Sequence, residues 1–185
     1  MATLAFVTSN EGKLREFGQM LGVELERVDL QLEELQSLDT AAVATDKARQ
    51  AYSVLGRPVV VEDTGLYIDA WNGFPGALVK WLVKSVGLQG IVRMLGNETD
   101  RRAHAKTSIC LRYGSGARLF EGTVHGSIAD SVRGTSDFGW DPIFIPEGMS
   151  NTFAELGHEA KNAVSMRSKA VAALREFLDK NGVSD

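Results

Sequence analysis

The sequence predicts an α/β fold built on a mixed β-sheet. A short apolar run, Leu4–Val7, leads through a polar loop into a segment with apolar residues at helical spacing, as a strand followed by a helix does. A second run, residues 59–61, is β-branched and typical of a buried strand. Residues 103–125 alternate in polarity around a glycine-rich turn at 114–116, which predicts an antiparallel hairpin. The sheet therefore contains both strand orientations.

The remaining elements follow from apolar spacing and turn residues. Helices are predicted over 13–21, 40–55, 78–95 (broken near Gly87 and Gly90) and 165–178. Further strand regions are predicted over 23–30, 126–133 and 143–145. We find no internal repeat and no low-complexity linker, so we expect one domain spanning residues 1–185.

Composition narrows the class of protein. The chain has 185 residues, 44% hydrophobic and 24% charged, as in an ordinary globular protein. A net charge of −4 argues against a nucleic-acid-binding surface. Cys110 is the only cysteine, which excludes an intramolecular disulfide and a cysteine-based zinc site. No apolar run approaches the ~20 residues of a membrane span and the N-terminus lacks a signal pattern, so we expect a cytoplasmic protein.

The stretch 58–81 contains several residues whose side chains can bind a ligand or take part in catalysis. Glu62 and Asp63 follow the buried run directly, and burying such charges without partners costs several kcal/mol. We therefore expect them at the carboxyl end of the strand, where open α/β sheets present their ligands. A turn at 72–76 then leads into a helix that carries Lys80. Acids, a turn and a lysine suit a metal and a phosphate.

The loop after the first strand is a second candidate site. Thr8, Asn10 and Lys13 lie where a strand passes into a helix, and the free N–H groups of a helix N-terminus attract anions. The alternative, a helix cap with a solvated lysine, fits these residues equally well.

Five separated motifs occur in one order along residues 4 to about 170. They are residues 8–14 (TSNEGKL), 62–66 (EDTGL), 73–76 (GFPG) with Lys80 and Trp81, 137–142 (DFGWDP) and 161–167 (KNAVSMR). Together they resemble the inosine/xanthosine triphosphate pyrophosphatase family. The resemblance implies a long twisted mixed sheet flanked by helices, two lobes around a central cleft, and a homodimer. It also implies Mg²⁺-dependent conversion of ITP, dITP or XTP to the monophosphate and pyrophosphate by cleavage of the α–β phosphate bond.

The resemblance assigns the acidic residues to metal and water. Asp63 is expected to orient or deprotonate the attacking water, with Glu34 and Glu62 helping to place Mg²⁺, which needs only one or two carboxylates. Glu33 competes with Glu34 for its role, because the acidic loop varies in length.

Further residues are assigned to the substrate. The resemblance gives the phosphates to Thr8, Asn10, Lys13, Lys47 and Lys80. For the two helix lysines, Lys47 and Lys80, a solvated surface role stays an alternative. The resemblance gives the purine base to Phe138, Gly139, Trp140, Asp141, Lys161 and Arg167. In this group we expect an aromatic ring to stack on the purine and Lys161 and Arg167 to donate to the oxygen at C6.

Met166 departs from the family pattern, which usually has histidine between the serine and the arginine. A thioether donates no hydrogen bond. Either base selectivity is weaker here, or Lys161 and Arg167 suffice. Two other functions stay open: a Maf-like nucleotide pyrophosphatase with another base preference, and a non-catalytic nucleotide-binding protein.

Overall fold

The computed structural model describes residues 4–9, 11–114, 116–135 and 139–181. These residues form seven strands: β1 (Leu4–Val7), β2 (Leu25–Val28), β3 (Val59–Ile68), β4 (Pro75–Gly76), β5 (Arg102–Tyr113), β6 (Gly116–Ile128) and β7 (Phe144–Pro146). They also form five α-helices: α1 (Glu11–Leu21), α2 (Thr40–Leu55), α3 (Val79–Leu95), α4 (Phe153–Val164) and α5 (Met166–Asn181). Two 3₁₀ turns cover Asp69–Trp71 and Asp141–Ile143.

All seven strands belong to one mixed sheet, which confirms the predicted α/β class. The strand order is β2-β1-β3-β5-β6-β7, and β4 pairs with β3 outside this path. β1 is parallel to β2 and β3, whereas β5, β6 and β7 continue the sheet antiparallel. The predicted hairpin is the pair β5–β6; Ser115 in its turn lies outside the described residues.

Side chains alternate along β3, and each face of the sheet has its own core. Val60 packs with Phe17 of α1 and Leu174 of α5 on one face. Val61 packs with the small residues of α2, such as Ala48, on the opposite face. The parity of a residue on β3 therefore decides which helices it meets.

A third core lies at the far ends of β3 and β5. It contains Leu66, Ile68 and Phe144 together with residues of α3 and α4. Between this core and the other two, polar residues cross the sheet at 62–64 on β3 and at 107–108 on β5. This polar belt interrupts the apolar interior at one level of the sheet.

Two strand predictions are wrong. Glu62 and Asp63 lie in the middle of β3, because the strand continues in antiparallel register with β5 as far as Ile68. The predicted strand at 126–133 is not separate, since β6 runs on to Ile128. The two acids still lie just beyond the end of β1, whose last pair with β3 is Phe6 with Val60.

The helices agree with the sequence except for one that it missed. Asp39 caps α2, Gly56 ends it, and α3 is kinked at Gly87, as the spacing predicted. The missed helix is α4, which begins with a capping box between Thr152 and Glu155. Among the described residues, no helix is long and apolar enough to cross a membrane.

Candidate active site

Glu62 and Asp63 point to opposite faces of β3, because successive side chains of a strand alternate. Glu62 shares the parity of Val60 and faces α1 and α5, whereas Asp63 shares the parity of Val61 and faces α2. The two neighbouring acids therefore have different partners, and each must be considered separately.

Asp63 joins two predicted site residues on the α2 face. The ammonium nitrogen of Lys47 lies 3.1 Å from Oε2 of Glu34 and 3.6 Å from Oδ1 of Asp63. Lys47 is thus a cation held between two carboxylates that come from the loop before α2 and from β3. Glu34, and not Glu33, supplies the loop carboxylate of this ion pair, while both main-chain groups of Glu33 bond to Gln50.

The charge of Asp63 is only partly compensated. Burial raises its pKa to about 6, against the lowering effect of Lys13 and Lys47, and the neighbouring carboxylates of Glu34 and Glu62 add to the rise. Its Oδ2 atom is buried and has no hydrogen-bond partner among the described residues. A buried acid with an open oxygen is a strong candidate for a ligand site.

Glu62 is fully engaged on the opposite face. Arg167 of α5 donates to both of its carboxylate oxygens, at 2.9 and 3.1 Å. Lys13 of α1 lies 3.3 Å from Oε1, and the Thr64 hydroxyl donates to the same atom at 2.8 Å. Burial alone would raise the pKa of Glu62, but Arg167 and Lys13 outweigh it and hold that pKa far below its usual range.

Arg167 is one of the largest fully buried side chains of the molecule. Besides Glu62, it forms a close ion pair with Glu16 on α1. Burial opposes its charge, yet the two carboxylates raise its pKa. The structure therefore places Arg167 beside the acidic pair, with two of its donors committed to Glu62.

The predicted phosphate residues are only partly brought together. Thr8 follows β1 in the loop before α1, and Lys13 on α1 lies close to Glu62. Asn10 lies outside the described residues. Lys80 is exposed at the start of α3, where its ammonium lies 5.4 Å from the ring centre of Trp81.

The predicted base residues form a second cluster. Lys161 of α4 donates to Asp141 at 2.6 Å, and both side chains are buried. Trp140 is 3% exposed and packs in the third core against Phe144 and Phe153. Phe138 lies outside the described residues, and the α-carbon of Gly139 faces open space.

Met166 lies inside the third core and is completely buried. Its backbone passes so close to Gly122 of β6 that any side chain at position 122 would collide with the start of α5. In this structure, Met166 packs and does not face an open pocket.

Sequence reasoning missed three partners of the site. Glu16 pairs with Arg167, Thr107 shares a 2.8 Å hydrogen bond with Thr64, and Gln50 holds Glu33. The three-residue spacing of Lys13 and Glu16 puts both on one face of α1, so their proximity could be predicted from the sequence. The others depend on β3–β5 register and on loop geometry, which the sequence does not display.

The donor set around Asp63 fits a magnesium ion. Among the described residues no group of three or more His, Cys, Asp or Glu side chains is placed to hold a metal. Mg²⁺ does not require such a group, because it keeps several waters and takes one or two carboxylates plus phosphate oxygens. Two observations are consistent with this ion: Oδ2 of Asp63 has no hydrogen-bond partner among the described residues, and the ammonium group of Lys47 already lies between the carboxylates of Asp63 and Glu34.

A cavity of about 350 Å³ lies elsewhere, beyond the end of β3. Asp69, Arg102, His125 and Met149 are among the residues that line it, and none of the predicted site residues does. Its charges are mixed, and Arg102 is already paired with Asp100 at 2.7 Å. We place the candidate active site at the carboxylates because their geometry, unlike that of the cavity, indicates a specific chemistry.

Comparison with known proteins points to one family. The model of the Ham1 family matches residues 4–177. A protein of Kluyveromyces lactis named inosine triphosphate pyrophosphatase is 44% identical over 190 residues, covering 97% of each chain. A protein of Hyperthermus butylicus named dITP/XTP pyrophosphatase is 41% identical, covering 97% of this chain and 96% of its own.

Solved structures agree with these relatives. A HAM1 protein from Coxiella burnetii superposes with a TM-score of 0.86 at 28% identity, covering 97% of this chain and all of its own. The Ham1 protein of Staphylococcus aureus superposes with a TM-score of 0.80 at 29% identity, covering 95% and 98%.

Proposed function

The chain belongs to the Ham1 family, and we propose that it is a pyrophosphatase for deaminated purine nucleoside triphosphates. It hydrolyses ITP, dITP and XTP to the monophosphate and pyrophosphate. The observation that carries this proposal is the convergence of Glu34, Lys47 and Asp63 around an open carboxylate oxygen. The names of the relatives support the substrate class and favour it over a Maf-like enzyme.

Asp63 is the proposed catalytic carboxylate. It accepts a proton from the attacking water, or holds that water in line with the α-phosphorus, so that the α–β bond breaks and pyrophosphate leaves. Glu34 and Asp63 would hold Mg²⁺, which supplies charge neutralisation and a more acidic water when bound. Glu62 faces the other side of β3, and both of its carboxylate oxygens already have hydrogen-bond or ion-pair partners. We therefore assign Glu62 to holding Lys13 and Arg167 in place.

We propose that Lys13, Lys47 and the β1–α1 loop bind the triphosphate. Lys13 and Lys47 both lie beside the acidic pair, where they can turn toward phosphate oxygens. Thr8 lies in the loop before α1, whose N-terminal N–H groups favour anions, and Asn10 is included on the sequence resemblance alone. For Lys80 nothing beyond the sequence resemblance supports contact with the substrate.

Base recognition is proposed for the cluster of Lys161 and Asp141 with Gly139 on the preceding turn, and for Phe138 on the sequence resemblance alone. Lys161 carries a donor for the purine oxygen, and Asp141 holds it in position at 2.6 Å. Trp140 is packed in the core, so we assign it to supporting this turn; stacking on the base would require it to move. Arg167 would reach a base only by releasing donors from Glu62.

A homodimer and a cytoplasmic location are further parts of the proposal, and both rest on the family resemblance. Sedimentation equilibrium would test the first, since the chain has a mass of 20.1 kDa and the dimer would have about twice that.

The function is tested by product analysis. Purified protein is incubated with ITP, dITP, XTP, dATP and GTP, with and without Mg²⁺, and the products are separated by ion-exchange chromatography. We expect pyrophosphate and IMP, dIMP or XMP, only with Mg²⁺, and at least about a hundredfold less from Asp63→Asn. Asp179→Asn, the same change at an exposed acid of α5, serves as the matched control and should leave the rate unchanged.

Two results would contradict the proposal. Release of single phosphate would place the cleavage at another bond. Tight nucleotide binding without turnover of any substrate would indicate the non-catalytic binding protein instead.

A further inference from the structure

We propose that Tyr67 is a positioning residue of the reaction, because its hydroxyl fixes the segment that brings Glu34 to Asp63. This inference rests on the proposed function. Tyr67 lies on β3 four residues after Asp63 and on the same face of the sheet, since residues of equal parity on a strand share a face.

The hydroxyl of Tyr67 binds the end of the loop that carries Glu34. It donates to the carbonyl oxygen of Leu38 at 2.8 Å and accepts from the backbone N–H of Thr40 at 3.2 Å. The Leu38 carbonyl also accepts from the N–H of Ala77 at 2.9 Å. Position 76 must be glycine-sized here, because any side chain would collide with this carbonyl. The carbonyl oxygen of Leu38 therefore accepts two hydrogen bonds, one from Tyr67 and one from Ala77.

A second attachment holds the other end of the same loop. The side-chain amide of Gln50 on α2 accepts from the N–H of Glu33 at 3.0 Å and donates to its carbonyl at 2.9 Å. Glu34 is the next residue. Its carboxylate thus lies between one anchor on α2 and one on β3, and only the second anchor depends on Tyr67.

Tyr67 also fixes the start of α2, the helix that carries Lys47. Thr40, the first residue of α2, is fully buried and shares a 2.8 Å hydrogen bond with Ser108 of β5 in addition to its bond to Tyr67. Lys47 follows two turns later on the same helix face and reaches both Glu34 and Asp63. One hydroxyl therefore ties the loop and the helix to the strand that bears the catalytic carboxylate.

The ring of Tyr67 is itself held in place. It stacks on His104, its cross-strand partner on β5, at 4.8 Å between ring centres and an interplanar angle of 2°. Because the ring is fixed in this way, removing only the hydroxyl changes the bond to the loop and leaves the packing intact.

The test is Tyr67→Phe, with Tyr113→Phe as the matched control at the far hairpin end, where Tyr113 packs near Phe177. For Tyr67→Phe we expect kcat for ITP to fall about tenfold while KM changes by less than about twofold, because misplacing Glu34 and Lys47 affects the transition state more than ground-state binding. We also expect faster hydrogen exchange at the Thr40 amide in protein without metal or nucleotide. Tyr113→Phe should change neither quantity.

The outcomes separate the inference from the function on which it rests. An active wild-type enzyme with unchanged kcat and unchanged Thr40 exchange in Tyr67→Phe would overturn the positioning role. A lower melting temperature with unchanged kcat would also overturn it and leave Tyr67 a purely structural residue. If the wild type releases no pyrophosphate from ITP, dITP or XTP, the proposed function fails, while the Thr40 exchange still decides whether Tyr67 holds the segment.

Discussion

At the scale of single residues, the carboxyl group of Asp63 combines burial with incomplete pairing. Lys47 approaches one oxygen at 3.6 Å, and the other oxygen has no hydrogen-bond partner among the described residues. Such a group costs stability in the free protein and becomes useful when a ligand arrives. This is the common trade between stability and activity at functional sites.

Replacing Asp63 by Asn is expected to stabilise the metal-free protein at pH 7. The pKa of Asp63 is about 6 in the folded protein and 3.8 ordinarily, so between these values the folded state holds a proton that the unfolded chain has released. Stability therefore falls as the pH rises through this window. The ionised carboxylate costs at most about 3 kcal/mol above it. Asparagine does not titrate and escapes this cost.

Urea denaturation in EDTA at pH 7 and at about pH 3 measures the effect. We expect Asp63→Asn to be more stable than the wild type at pH 7 and the difference to shrink toward zero near pH 3, below both pKa values, where Asp63 is protonated in the folded and the unfolded wild type. A variant that is less stable than the wild type at pH 7 would show that Asp63 is well compensated by Lys47 and Lys13.

At the scale of elements, Glu62 and Arg167 join β3 to α5 across 105 residues of sequence. Both side chains are 1% exposed, and Glu16 and Lys13 of α1 attach to the same pair. Three elements, β3, α1 and α5, therefore meet at one buried charge network, on the face of β3 opposite to the proposed catalytic carboxylate of Asp63.

Removing one member of this network is expected to be costly. Arg167→Met leaves Glu62 buried with only Lys13 and Thr64 as partners, and breaking a buried pair typically costs about 3–5 kcal/mol. Adding Glu62→Gln to Arg167→Met removes the orphaned charge and should recover more than half of that loss. Urea denaturation of the two variants at pH 7 tests this, and equal destabilisation of both would mean that packing, not charge, is what Arg167 contributes.

At the scale of the whole molecule, the candidate site is assembled from separate parts of the chain. Helix α1, the loop before α2, α2 itself and β3 each contribute at least one residue. A ligand that bridges the lysines and the carboxylates therefore links these elements and stabilises the fold as a whole.

Mg²⁺ with pyrophosphate is expected to raise the melting temperature. At about a hundredfold excess over the dissociation constant, binding adds about 2.7 kcal/mol. For a chain of this size that corresponds to about 5–10 °C. Pyrophosphate alone should raise the melting temperature much less, because without Mg²⁺ the carboxylates of Glu34 and Asp63 repel the pyrophosphate. An equal rise without Mg²⁺, measured by differential scanning calorimetry in EDTA, would contradict the metal assignment.

The sequence by itself determined the α/β class, most of the elements and the family, because these depend on local spacing and on short motifs. Apolar periodicity predicts β1 and α2 where the structure has them, and the motif around Asp63 predicts a metal and phosphate chemistry.

Only the tertiary structure decided which residues work together. Glu62 and Asp63 are neighbours in the chain, yet strand alternation sends one toward α5 and the other toward α2, so that they take different partners. Likewise the ion pair of Lys47 with Glu34, the burial of Trp140 and Met166, and the hydrogen bond of Tyr67 to Leu38 depend on register and on contacts distant in sequence. Such contacts leave no local pattern, because the partner is chosen by how the sheet and helices pack.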